Sequence, residues 1–357
     1  MGLDGDNMMR NRIYILLCIL SSMYTGASAV KNYGVQTISW SQLWCDTVLN
    51  IKNIQDMKLM GNNELYLTYE IPNNYGDQLV NSFSVDWSKR NLSFKKEFFK
   101  RKNGTHVFSV PVIFWDHKGG MYAFERNSPH LYAISGDTLK RNGQAIISLK
   151  SKCPYRLVIE AKYPFVDSLG QIVFVGRQEK NGFQAILRSS RTSDGVERIE
   201  EINKIIYDQR YPSWLVNYGS FAYNPQKNVA IFAYQLFPAI QFYNLNDGKS
   251  FRFRKGQSSF NPKTLKEGDI WENNPIHFKA IATNEKYIYC LYWGVTEKQA
   301  KNNQRRHSFT AQIVILRWNG SIYKTLTSHR KISSIAVSES GDYIIGYDEG
   351  KFFFSTI

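Results

Sequence analysis

Four oxygen-bearing side chains, Asp116, Asp167, Asn224 and Asn284, recur along the chain, each at the end of a short apolar run. Brought together, such groups could hold a hard cation like calcium, which wants several oxygen ligands. The same residue types also bond their own backbone in tight turns. The turn is the favoured reading, because equivalent turns around a ring of repeats are expected to stand well apart. No metal and no cofactor is therefore assigned.

Other residues invite other chemistry. Glu70, Asp116, Glu125, Asp269 and Glu272 could supply the two facing carboxylates that a glycoside hydrolase needs. His130 and His277 flank Pro-containing loops, whereas His117 and His307 sit in polar turns. A single His is more often structural than catalytic, and a catalytic pair needs mutual geometry. No H-E-x-x-H, C-x-x-C or G-x-S-x-G occurs. The GKS at 248–250 lacks the Gly that a phosphate loop places five positions earlier, where Tyr243 stands. SDG at 193 and SGD at 340 are isolated turn residues. No catalytic residue is assigned.

The elements that would position these groups are strands. Phe and Tyr number 22 each, and aromatic enrichment favours strands over helices. Six segments share one pattern of alternating apolar residues, a polar turn, and a more apolar strand. They are MKLMGNNELYLTY (57–69), VIFWDHKGGMYAF (112–124), PFVDSLGQIVFV (164–175), FAYNPQKNVAIFAY (221–234), AIATNEKYIYCLY (280–292) and IAVSESGDYIIGY (335–347). Aligned on the second strand, Leu65, Met121, Ile172, Val229, Ile288 and Tyr343 fall in register. Each copy is followed by a further strand and often a turn signal, such as the two-residue turn at Asn319-Gly320. Four antiparallel strands per repeat make a propeller blade, and stacked blades bury the faces that one blade alone leaves open.

The expected fold is an all-β, six-bladed propeller with blades near 56–105, 110–150, 162–205, 216–255, 277–328 and 332–357. The sixth repeat is a strand short, so the N-terminal part should close the ring, through VQTISW (35–40) or TVLNIKNI (47–54). YIYCLYWG (287–294), the loop through Phe309, QIVILRWNGSIYKTL (312–326) and ISSIAVSESGDYIIGY (332–347) form one distinctive run. In that run the chain resembles the TolB-like six-bladed propeller proteins of Bacteroides-group bacteria. The resemblance implies this fold and export to the envelope, often as a lipoprotein, and brings no enzymatic activity with it.

The N-terminus agrees with export. Arg10 and Arg12 precede an apolar run from Ile13 to Tyr24, and Ala27-Ser28-Ala29 offers a cleavage site. A signal peptide over 1–29 leaves a propeller from 30 to 357. The apolar run is shorter than the roughly 18 residues of a membrane span. Lipidation at Cys18 is an alternative, against which the bulky Leu17 counts. Cys45, Cys153 and Cys290 are left; an odd number without close spacing is neither a disulfide framework nor a zinc site, though one bridge is possible.

With 45 basic and 30 acidic residues the net charge is +15. An exported chain this basic is drawn to anionic surfaces, while export removes nucleic acid as a partner. The leading expectation is a monomeric binding or scaffold protein of the periplasm or outer membrane, whose partner is an envelope protein or an anionic glycan. Function is expected on irregular loops. The candidates are RKGQSSFNPKTLKEGDIWENNPIHF (254–278), where Trp271 could stack on a sugar, and the basic stretch 294–309. The aromatic-polar stretches 207–219 and 70–78 are of the same kind. A lyase or hydrolase of acidic glycans is the main alternative, and a calcium-dependent lactonase-type propeller a weaker one.

Overall fold

A computed structural model describes residues 36–45, 54–69, 78–100, 197–267 and 270–357, with shorter segments between 102 and 191. The signal region, Cys18, Cys153 and the stretch 47–53 lie outside the described residues. Within the unit Val35–Ile357 the strands form six successive antiparallel blades.

Blade four is the plainest. Its strands Gly219–Asn224, Val229–Tyr234, Ala239–Asn244 and Ser250–Arg254 pair in chain order. Successive side chains of a strand point to opposite faces. Ala230, Phe232 and Tyr234 accordingly enter the core shared with blade three, while Ile231 and Ala233 enter the one shared with blade five. A blade buried on both faces needs apolar residues at odd and even positions alike, hence runs such as VAIFAY. Burying each large apolar side chain stabilises the stack by about 2 kcal/mol.

Blade five comprises Ile276–Thr283, Tyr287–Val295, Ala311–Arg317 and Ile322–Ser328. In its outer hairpin, Gly320 N donates to Arg317 O and Arg317 N to Ser321 O. The loop therefore spans three residues, Trp318 to Gly320, with Gly320 at φ +80°. This is a type I turn finished by a left-handed Gly, rather than the two-residue turn that Asn-Gly suggests.

In blade three two short pieces share the inner position. Tyr155–Leu157 pairs with Gly176 to Gln178, and Phe165–Val166 with Ile172 and Val173. That blade thus begins before residue 162, where the repeat alone placed it.

Ring closure corrects the sequence expectation in detail. The fourth strand of blade six is Ser41–Cys45, which lies between the two segments expected to serve. Ser41, Gln42 and Leu43 pair antiparallel with Phe354, Phe353 and Phe352. Trp44 and Cys45 then run parallel to Asn91 and Leu92 of blade one. One strand so joins the last blade to the first in a continuous eight-stranded sheet and covers two outer edges at once. Among the described residues of VQTISW, Gln36–Thr37 forms a strand, added parallel to the outer edge of blade five.

The repeat register also shifts. Leu65 packs in the core between blades six and one, and Ile288 in that between four and five, so both face the preceding blade. Val229 and Tyr343 face the following one. The true counterparts in blades one and five are Glu64 and Tyr287, one residue earlier. A one-residue slip moves a side chain to the opposite face of its strand. Cys45 and Cys290 belong to different cores and form no bridge with each other.

Candidate functional site

In blades one, four and five the first and third hairpin turns lie at the same end of the blade. Here the recurrent Asn residues cap their turns. Asn224 Oδ1 accepts from Lys227 N at 3.0 Å, and Asn284 Oδ1 from Lys286 N at 3.0 Å and Tyr287 N at 2.8 Å. Their amide groups reach the next blade as well. Asn224 Nδ2 donates to Glu285 O at 3.2 Å, and Asn284 Nδ2 to Glu339 O at 3.5 Å. From blade six, Ser340 Oγ donates to Asn62 Oδ1 at 3.1 Å, and Glu339 Oε1 accepts from Gly61 N at 3.0 Å. Turns expected to stand apart are thus hydrogen-bonded from blade four through five and six to one. Their Asx capping is as anticipated, and the same amides position two lysines.

Those lysines rim a cleft of about 550 Å³ between blades four and five. Blade four contributes Lys227, Val229, Asn244 and Phe251 to its lining, and blade five Lys286, Tyr287, Arg317, Trp318 and Asn319. No carboxylate stands among these described residues. Lys227 and Lys286 are exposed and make no ion pair with a described residue. Asn244 Oδ1 accepts from Asn246 N at 3.0 Å, and Asn319 Oδ1 from Ser321 N at 3.0 Å and Ser321 Oγ at 2.7 Å. Those bonds engage both amide oxygens in their own turns. The lining so carries three cationic groups, two ammoniums and one guanidinium, beside two amides and the Tyr287 phenol.

The cleft opens here for an identifiable reason. At the seam between blades six and one, Tyr343 fills the corresponding place by stacking on Trp87. Val229 is the counterpart of Tyr343 and Trp318 that of Trp87, so an isopropyl group replaces a phenol ring and space is left. Trp318 is itself buried, its Nε1 donating to Asn284 O at 3.1 Å. Phe251 is 46% exposed. It stacks on Phe242 with centroids 4.6 Å apart and planes within 9°.

The opposite face carries the loops that sequence favoured. The stretch 254–278 contains two short helices, Thr264–Glu267 and Ile270–Asn273, tied down by buried Asn274, whose Nδ2 donates to Thr264 Oγ1 and Ile270 O. Trp271 meets Tyr218 edge-on at 4.8 Å and packs on the core between blades three and four. The stretch 294–309 holds the helix Glu297–Arg305, which starts in a capping box between Thr296 and Gln299. In 207–219, Asn217 accepts from Tyr207 N and donates to Tyr211 O and Ser213 O, which makes that loop a packed connector. Most of 70–78 lies outside the described residues.

His277 sits on the first strand of blade five, within the register shift between Ile276 and Phe278, and is 3% exposed. Its Nδ1 is 3.2 Å from Tyr292 Oη, which donates to Lys255 O at 3.4 Å. Burial holds the imidazole down at about 4 and raises the Tyr292 phenol. A neutral ring with Nδ1 protonated fits both bonds, with buried Nε2 bare. Nearby, Lys331 Nζ donates to Asp348 at 2.9 and 3.2 Å and to Glu349 at 3.1 Å. Burial alone would lower the lysine, but these two acids outweigh it and raise its pKa; burial raises Asp348 despite the ammonium. Gln304 Oε1 accepts from Lys331 N at 2.7 Å, which ties the helix to blade six. These groups hold elements together and are spent on one another.

Of the carboxylates singled out from sequence, Glu272 is exposed on Ile270–Asn273, and Glu125 ends a strand of blade two. Glu70, Asp116 and Asp269 lie outside the described residues, as do Asp167, His117 and His130. No cluster of three potential metal ligands occurs among the described residues.

Fold and face together define a six-bladed β-propeller whose turn-bearing side carries a basic cleft. Residues 82–340 match the family described as TolB-like 6-blade propeller-like, and the chain belongs to that family. A member of the DUF4221 family from Bacteroides vulgatus is similar in structure, at 13% identity and a TM-score of 0.56 over 90% of this chain and 96% of the other. A gluconolactonase from Xanthomonas campestris aligns at 8% identity and a TM-score of 0.47 over 85% and 86%. A luciferin-regenerating enzyme aligns at 8% identity and 0.47 over 90% and 96%. The first of these likenesses speaks to the fold alone. No curated protein sequence matches the chain.

Proposed function

We propose that this protein is an exported, monomeric binding protein of the bacterial envelope that holds an anionic partner, protein or glycan, against its turn-bearing face. The observation that carries this reading is the set of three cations, Lys227, Lys286 and Arg317, in the cleft between blades four and five with no carboxylate in its described lining. Cations and amide N–H groups with no carboxylate beside them are matched to carboxylate, sulfate or phosphate oxygens. The net charge of +15 supports it by drawing polyanions to the surface before docking.

The test separates the cleft from overall charge. Lys227→Glu with Lys286→Glu is compared with Lys89→Glu plus Lys249→Glu, an equal change of charge at exposed positions outside the cleft lining. Retention of a polyanion at moderate salt should fall steeply for the first pair and slightly for the second. Equal losses would reduce the attraction to non-specific charge. The rival reading, a lyase or hydrolase of acidic glycans, is separated by product release: unsaturated or new reducing ends from a glycan panel would establish catalysis.

A further inference from the structure

Resting on the anion-binding reading above, we infer that the ligand of this cleft is an acidic sugar, carboxylated or sulfated, whose ring lies on Phe251. The added observation is the state of that side chain. Phe251 is among the most exposed large apolar residues described, yet its ring is held in place from two directions. Phe242 stacks on it at 4.6 Å, and Gly320 of the next blade leaves room for it. A Cβ on Gly320 would run into the Phe251 ring, so the absence of a side chain there keeps the ring where it is.

An exposed aromatic ring held in place beside a cationic wall matches a molecule with two unlike surfaces. An acidic sugar has an apolar C–H face that packs on an aromatic ring. Its carboxylate or sulfate meets Lys227, Lys286 and Arg317, and its ring hydroxyl oxygens accept from Asn244 and Asn319. Inorganic phosphate has no use for Phe251. An acidic peptide brings carboxylates but no flat apolar C–H face to lie on Phe251. The cleft lies within the size range of small-molecule sites, about 300–1,000 Å³, and takes about two sugar rings of a longer chain.

The experiment is calorimetric titration of the purified protein with trigalacturonate, a chondroitin sulfate hexasaccharide, tripolyphosphate and hexaglutamate. At least one acidic sugar should bind more tightly than tripolyphosphate and hexaglutamate. Phe251→Ala should weaken sugar binding about fivefold or more while leaving tripolyphosphate unchanged. Phe251→Leu, which keeps apolar bulk but not the flat ring, should behave like Phe251→Ala and guards against a folding artefact. The two sugar arms tell carboxylate from sulfate. Tripolyphosphate binding as tightly as either sugar, with no effect of Phe251, would overturn the sugar assignment and keep the anion site. Hexaglutamate as the tightest ligand would replace it with an acidic peptide. If no anion responds to Lys227→Glu with Lys286→Glu, the underlying reading fails as well.

Discussion

Trp87 lies flat on Tyr343, their ring centroids 4.4 Å apart and their planes within 6° of parallel. Trp87 belongs to the outer turn of blade one and Tyr343 opens the second strand of blade six, so the stack spans the seam where the ring closes. Trp87 Nε1 also donates to Asn62 O at 2.8 Å, and Ser340 of blade six bonds the side chain of the same Asn62. The seam is therefore held twice, by this cluster on the turn face and by Ser41–Cys45 at the outer edge.

Removing the indole should loosen closure. Trp87→Ala loses a half-buried aromatic and a hydrogen bond, for a cost of about 2 kcal/mol. Trp87→Phe keeps a ring on Tyr343 and should cost about 1 kcal/mol. Urea titrations would show midpoints falling in that order at unchanged slope. Identical midpoints for both variants would mean that the stack is idle.

Much of this architecture is legible in the sequence because propeller blades repeat their chemistry. Runs such as YIYCLYWG and VAIFAY announce strands buried on both faces, and Asn224 and Asn284 announce the caps of the first turns of blades four and five. The register of blades one and five was not legible, because the turns differ in length. Asn224 pairs directly with Val229, whereas Asn284 closes its turn on Tyr287, so aligning apolar letters slips by one. The cleft was invisible for another reason. Its residues come from two blades, 227–251 and 286–319, share no motif, and meet only when the blades stack. The helix Glu297–Arg305 had a signal in Thr296-x-x-Gln299 that the long basic loop reading passed over.

That capping box can be tested alone. Thr296 Oγ1 accepts from Gln299 N at 3.2 Å, and Gln299 Oε1 accepts from Thr296 N at 3.0 Å. Thr296→Ala should cost about 1 kcal/mol, and Thr296→Asp about nothing, since aspartate also caps. Hydrogen exchange of the helix amides should rise in the first variant only. Uniform exchange across wild type and both variants would show that packing, rather than capping, fixes the helix.

Gly320 and Phe251 should be energetically coupled. Gly320→Ala places a Cβ at φ +80° and against the Phe251 ring, costing about 2 kcal/mol in all. With Phe251→Ala already present the clash is gone and only the backbone strain of about 1 kcal/mol is left. A double-mutant cycle by urea unfolding should thus give a coupling of about 1 kcal/mol. Strict additivity would place the ring clear of the glycine in solution, and the platform for a sugar would lose its support.

The pH dependence of stability should carry the mark of His277. Burial holds its imidazole at about 4 in the folded chain, against 6.5 when exposed. Between those values the unfolded chain binds a proton that the folded chain refuses, so stability rises with pH through the window and is lost on acidification. Above 6.5 both states are neutral and the contribution is flat. From pH 7 to 4.5 the expected loss is about 2 kcal/mol. Asp348 works the other way. Burial raises its carboxyl, so the folded chain keeps that proton to higher pH than the unfolded one, and this part of the stability falls as pH rises from the ordinary carboxylate range. Comparing wild type with His277→Gln cancels the carboxylates common to both. The variant should be less stable at pH 7, where it loses a well-packed ring, but should shed about 2 kcal/mol less on going to pH 4.5. Parallel pH profiles for the two proteins would mean that His277 takes up its proton in the folded state without cost.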